Sequence, residues 1–164
     1  MVVVDEREVL TWETFGRCVP ELAGQVVDDG YRPDLVLSVA RGGLALGMGL
    51  GYALGVKACA MLNVEFYTGV DAHLDEPVVL SPGPSPADLA GRRVLVADDV
   101  ADTGRTLAAV RDLCLPHAAE VRVAVLYDKP GSLVRPDYSW RRTDRWIDFP
   151  WSSAEAAVSG SVPA

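Results

Sequence analysis

Two adjacent carboxylates, Asp98 and Asp99, stand just ahead of Asp102-Thr103-Gly104-Arg105-Thr106. These residue types in this order suit a phosphorylated sugar. Neighbouring carboxylates can accept hydrogen bonds from vicinal hydroxyls, or hold Mg²⁺ through water. Gly104 lets the backbone approach an anion closely, and the Thr103 and Thr106 hydroxyls add hydrogen-bonding groups. A second set lies upstream at Arg41-Gly42-Gly43. Paired glycines permit a tight backbone with amides turned toward an anion, and Arg41 adds a fixed cation with forked donors.

The elements around these residues are readable from their periodicity. Val94-Leu95-Val96-Ala97 is an apolar run too short for a buried helix and reads as a central strand that the chain leaves through the two acids. Leu107 to Leu113 has helical spacing. The start of that helix would present unpaired amides and the positive end of its dipole to a phosphate at Thr103–Thr106. The acids would then lie at the carboxyl end of a strand, where open α/β sheets bind their ligands. Together these features read as a cradle for ribose 5-phosphate.

Leu35 to Ala40 repeats the pattern: a buried strand, the Arg41-Gly42-Gly43 turn, then a small-residue helix from Leu44 to Leu54 closed by Gly55. Two strand–loop–helix units favour a three-layer α/β domain with a mainly parallel sheet and helices on both faces. Ahead of them, Thr11 is an N-cap for a helix carrying Phe15, Cys18, Val19, Leu22 and Val26, ended by Gly30 and kinked or split at Pro20. Ala58 to Phe66 and Val121 to Tyr127 read as strands, and Tyr138 to Trp140 as an edge strand. Residues 67–90 are polar and rich in proline, an irregular stretch of the length that lids adopt.

The 164 residues suit one domain, expected over residues 1–151, with residues 152–164 a disordered tail. At 49% hydrophobic and 23% charged, the composition is that of a globular protein. A net charge of −8 argues against a nucleic-acid surface and means that a polyanionic substrate needs a local remedy. The three cysteines, Cys18, Cys59 and Cys114, lack a CxxC pattern and read as apolar residues in a reducing compartment. No run reaches membrane-spanning length and no signal-peptide pattern opens the chain, so the expected location is the cytoplasm, with no membrane partner.

The stretch from Val94 to Thr106 resembles the phosphoribosyl-pyrophosphate signature of the type I phosphoribosyltransferases: an apolar run, two acids, two variable positions, then Asp-Thr-Gly-x-Thr. The likeness is nearest to the 6-oxopurine branch, through Lys129-Pro130 and Trp146-Ile147-Asp148-Phe149-Pro150-Trp151. It implies transfer of ribose 5-phosphate from phosphoribosyl pyrophosphate to hypoxanthine, guanine or xanthine, with Mg²⁺ as cofactor. By the resemblance, Arg41, Gly42 and Gly43 grip pyrophosphate, Asp98 and Asp99 hold the ribose or Mg²⁺, and Asp102 through Thr106 anchor the 5′-phosphate. Asp102 would also take the purine N7 proton. A small hood from about 128–151 would cover the base, with Lys129 donating to its O6 and N7 edge and Trp146 stacking beside Ile147. Asp148 would meet a 2-amino group or help hold Mg²⁺. Alternatively, Trp146, Phe149 and Trp151 form a C-terminal core plug and Lys129 is a solvated turn residue, while Arg141, Arg142 and Arg145 read as surface charge. The loop at 67–90 would close over the site, although it carries His73 and no Lys or Arg. Enzymes of this family are commonly dimers or tetramers. Two other readings share the cradle: a regulator that senses phosphoribosyl pyrophosphate or nucleotide, and a transferase for a non-purine acceptor.

Overall fold

The computed structural model describes residues 6–66 and 77–158. In chain order its elements are β1 (Glu8–Val9), α1 (Trp12–Asp28), β2 (Leu35–Ala40), α2 (Gly43–Ala53), β3 (Cys59–Phe66) and β4 (Pro77–Leu80). They continue with α3 (Pro86–Leu89), β5 (Arg93–Ala101), α4 (Arg105–Cys114), β6 (Glu120–Asp128), β7 (Tyr138–Arg142) and β8 (Ile147–Asp148). The main sheet has the order β4-β3-β2-β5-β6-β7 and is parallel except for β4 at one edge. β1 and β8 pair separately, in parallel.

Side-chain alternation divides the core into two layers. Val36, Leu95, Ala97, Ala124 and Leu126 face one side and pack with Phe15, Leu22 and Val26 of α1 and Leu46 and Leu50 of α2. Leu35, Leu37, Val94, Val96, Val123 and Val125 face the other side, with Leu89 of α3 and Leu107 and Val110 of α4. A strand covered on both faces has no polar side, so these strands read as continuous apolar runs. The expected three-layer architecture is the one observed.

Three expectations need correction. Pro20 lies within α1 without splitting it; the helix is continuous over 17 residues. Pro20 and Gly16 both face solvent, so water can reach the carbonyl that loses its donor. The stretch 67–90 is not wholly irregular. Val78-Val79-Leu80 is too short to announce itself among prolines but gains a ladder by pairing with β3, and α3 opens with a Ser85–Asp88 capping box. Residues 67–76 of the expected lid, His73 among them, lie outside the described residues. Finally, β5 runs on through both acids to Ala101, with Asp98 opposite Val125 and Ala101 opposite Asp128. The acids are therefore part of the strand rather than of the loop that follows it. Residues 152–158 form exposed turns, and the rest of the expected tail lies outside the described residues. Among the described residues, no helix is long and apolar enough to cross a membrane.

At the opposite end of the sheet, Asp34 ties the entry of β2 to that of β5. Its carboxylate accepts the Arg93 amide at 2.9 Å, Nε at 3.0 Å and Nη2 at 2.9 Å. The Arg93 guanidinium, then its amide, hold the Asp34 pKa at about 2 against the usual 3.8. A carboxylate lowered by folding stabilises above its unfolded pKa and loses that contribution as pH falls through the folded one. Asp34→Asn should therefore lower the melting temperature at neutral pH. The deficit should shrink from about pH 3.8 downward and vanish near pH 2 in melting curves of both proteins. A deficit unchanged at pH 2 would mean that charge is not its source.

Candidate active site

β2 and β5 are neighbours, yet the chain leaves β2 through α2 toward β3 and leaves β5 through α4 toward β6. Connections that diverge from adjacent parallel strands open a crevice at the strands' carboxyl ends. Arg41-Gly42-Gly43 and the Asp98–Thr106 stretch both open into it. A Cβ on Gly42 would lie 2.1 Å from Asp99 Oδ2, and one on Gly43 would lie 2.3 Å from the Ala97 carbonyl oxygen. Only glycine permits this approach. The Ala40–Arg41 peptide is cis, and the Arg41 carbonyl accepts the Leu44 amide at 3.1 Å as α2 begins.

The two acids share a poorly solvated position. Asp98 is 8% exposed and accepts the Asp99 amide at 2.9 Å. Burial, and then the neighbouring Asp99 charge, push the Asp98 pKa well above the usual carboxylate range. Burial also raises Asp99, against the stabilising hydrogen bonds of the Val100 amide, Asp98 and the Trp151 side chain. Two crowded carboxylates with disfavoured charge are matched chemically by a hard cation. Among the described residues, no group of three His, Cys, Asp or Glu side chains gathers to hold a metal. A Mg²⁺ ion at this pair would thus take its remaining ligands from water and substrate, as that ion commonly does.

The polar loop is held from outside the motif. Gly104 adopts φ +80° as the N-cap of α4, and no side chain caps that helix. Thr103 Oγ1 lies 3.4 Å from the Arg105 amide, and the Thr103 carbonyl accepts the Leu133 amide at 2.8 Å. A Cβ on Gly104 would lie 2.5 Å from Ser132 Oγ and 2.7 Å from the Leu133 and Val134 nitrogens. The amides at the start of α4, beside exposed Thr103 and half-buried Thr106, suit a phosphate group.

Lys129 joins this loop to the hood. Its amide donates to the Ala101 carbonyl at 3.0 Å, and its Nζ lies 3.5 Å from Asp102 Oδ1 and 5.7 Å from the Trp146 ring centroid. Asp102, an ammonium and an open indole face thus occur in a row, with Trp146 60% exposed.

The other hood residues divide between core and surface. Ile147 is buried in the core rather than open beside Trp146, because strand alternation on β8 turns it inward. Asp148 is engaged by Arg7 at 3.1 Å and does not gather with Asp98 and Asp99 into a metal-holding group. Phe149 and Trp151 stack at 5.1 Å and pack edge-on against Phe15, Trp12 and Tyr127, which is core packing. Arg141 and Arg145 pair with Glu8 and Glu6. The sequence reading missed β1, with Arg7, and the contact of Trp151 with Asp99. A two-residue strand carries too little periodicity to be seen before its partner is known.

A crevice at a diverging point of a parallel sheet, with an acid pair, a glycine turn and an uncapped helix start, defines a protein that grips a phosphorylated sugar. The chain belongs to the phosphoribosyl transferase domain family, whose pattern matches residues 6–157. It is 31% identical to the xanthine-guanine phosphoribosyltransferase of Gluconobacter oxydans, over 91% of this chain and 86% of that protein. The crystal structure of a purine phosphoribosyltransferase from Pyrococcus horikoshii matches with a TM-score of 0.82 at 36% identity, covering 93% of this chain and 99% of that one. Helicobacter pylori xanthine-guanine-hypoxanthine phosphoribosyltransferase shares the fold, with a TM-score of 0.73 at 24% identity and coverage of 89% and 93%.

Gly104→Ala tests the loop. A side chain there meets both a left-handed backbone and the 132–134 backbone, so the variant should lose about 1–3 kcal/mol in urea denaturation. An unchanged midpoint would mean that the loop yields without cost.

Proposed function

We propose that this protein transfers ribose 5-phosphate from phosphoribosyl pyrophosphate to a 6-oxopurine, releasing pyrophosphate. The observation that carries the choice of acceptor is the row of Asp102, Lys129 and Trp146. An ammonium is a donor only, so it complements an O6 carbonyl and opposes the 6-amino group of adenine. Trp146 offers the purine a stacking face, and Ile147 anchors β8 in the core beneath the hood.

In the reaction a bond forms between a purine ring nitrogen and ribose C1 as the bond from C1 to pyrophosphate breaks. Oxocarbenium character develops on the ribose while negative charge grows on the leaving group. Arg41 and the Gly42 and Gly43 amides receive that charge. Asp98 and Asp99 accept the ribose hydroxyls, and Thr103, Gly104, Arg105 and Thr106 seat the 5′-phosphate. Asp102 accepts the purine N7 proton. Purine phosphoribosyltransferases generally depend on Mg²⁺; when bound, the ion neutralises pyrophosphate, and Asp98 and Asp99 are the residues that would hold it. Asp148 stays with Arg7 and takes the smaller role of steadying the hood. Free thiols at Cys18, Cys59 and Cys114 suit the reducing cytoplasm, the location we propose.

The test is a spectrophotometric assay with phosphoribosyl pyrophosphate, Mg²⁺ and a panel of hypoxanthine, guanine, xanthine, adenine and uracil. Turnover is expected with at least one 6-oxopurine and not with adenine or uracil. Asp102→Asn should lower kcat by about 100-fold or more. Turnover of adenine or uracil alone would reject the assigned acceptor. Tight binding of the donor with no turnover of any base would replace the enzyme with a sensor.

A further inference from the structure

Asp102 follows directly on β5, and its side chain is 60% exposed. Packing therefore does little to aim this carboxylate. Its backbone is held instead, from outside its own strand–loop–helix unit. The Ala101 carbonyl, on one side of Asp102, accepts the Lys129 amide at 3.0 Å. The Thr103 carbonyl, on the other side, accepts the Leu133 amide at 2.8 Å. Both donors belong to one turn, 129–134. The residue whose ammonium lies 3.5 Å from Asp102 Oδ1 thus opens the turn that brackets Asp102.

That turn is fixed at both ends. Lys129 carries the pairing of β5 and β6 one residue further, and Val134 is buried in the apolar layer that holds Leu107 and Val110 of α4. Between the ends, packing is sparse. A Cβ on Gly131 would meet nothing within 4 Å, and Leu133 is 77% exposed. Ser132 supplies the order that packing does not. Its amide donates to the Lys129 carbonyl at 3.1 Å, closing a β-turn over Pro130-Gly131. Its hydroxyl donates to the Val134 carbonyl at 2.7 Å and accepts the Val134 amide at 3.3 Å, bridging across Leu133.

We infer that Ser132 is a positioning residue for the transfer reaction: its hydroxyl holds the 129–134 turn so that the Leu133 amide keeps Asp102 aimed at the base. The inference rests on the role proposed above for Asp102 as proton acceptor. The serine acts through backbone alone and exchanges no proton with substrate. A small misplacement of a reacting group costs far more in rate than in stability, so a hydroxyl in a surface turn can matter to kcat.

Steady-state kinetics of the full chain, with phosphoribosyl pyrophosphate, Mg²⁺ and whichever 6-oxopurine it turns over, test this. Ser132→Ala should lower kcat about tenfold, with the KM for phosphoribosyl pyrophosphate moving less than kcat and the circular dichroism spectrum unchanged. Ser132→Thr keeps the hydroxyl and should keep most of the wild-type kcat. The decisive measurement adds Ser132→Ala to Asp102→Asn. In that background the serine has no proton acceptor left to aim, so its loss should cost less than about twofold. Equal fold-losses in both backgrounds would mean a general defect of the fold and overturn the inference. So would a Ser132→Ala enzyme with wild-type kcat, or a Ser132→Thr enzyme as slow as Ser132→Ala. Each of these leaves the proposed function standing, provided that Asp102→Asn alone is impaired. A wild type that turns over no base, or Asp102→Asn as fast as wild type, would instead reject the assigned reaction or the role of Asp102, and this inference with it.

Discussion

The Gly42–Gly43 turn rests so closely on β5 that no side chain fits between them. That contact depends on β2 and β5 being paired neighbours, and their pairing in turn rests on apolar layers packed on both faces of the sheet. The rest of the site follows from it. The turn confines Asp99 from one side, α2 begins directly above it, and the acid pair is kept from bulk water. Electrostatic interactions are stronger in such an environment than at an open surface, for attraction and repulsion alike. The carboxylates are consequently uncomfortable alone and well suited to a cation shared with a phosphorylated substrate.

A chain with net charge −8 that binds a polyanion must offset its own field locally. The groups we propose for that task mainly carry no net charge: glycine amides, the uncapped start of α4, and threonine hydroxyls. Arg41 and Lys129 are cations placed at its edges. Lys129 is 16% exposed at its side chain and faces Asp102 on one side and Trp146 on the other. The same side chain therefore joins the phosphate loop to the hood.

The hood is assembled from both ends of the described chain. β1 pairs with β8, the Glu8 amide donates to the Trp146 carbonyl at 2.8 Å, and the Leu10 amide to Asp148 at 3.0 Å. Ion pairs of Arg7, Arg141 and Arg145 decorate this junction, but partly exposed pairs of this kind contribute little. The stacked Phe149 and Trp151, set against Phe15 and Trp12, bury far more apolar surface. They leave Trp146 as the outward-facing aromatic of the segment, and Trp151 reaches Asp99 as well.

Much of this was legible in the residues themselves. Runs such as Leu35–Ala40, Val94–Ala97 and Val121–Tyr127 show their strands because a strand buried on both faces must be apolar throughout. Gly42, Gly43 and Gly104 mark close approach because no other residue type tolerates it. Spacing alone therefore indicated a parallel α/β fold and the local chemistry of its loops. Other features depend on partners distant in sequence. Val78–Leu80 becomes a strand only against β3, and Glu8–Val9 only against Ile147–Asp148. Ile147 turns inward and Asp148 meets Arg7 because β8 has one particular neighbour. Local sequence encodes conformational preference and burial; the identity of what lies across a gap is settled only when the chain closes on itself.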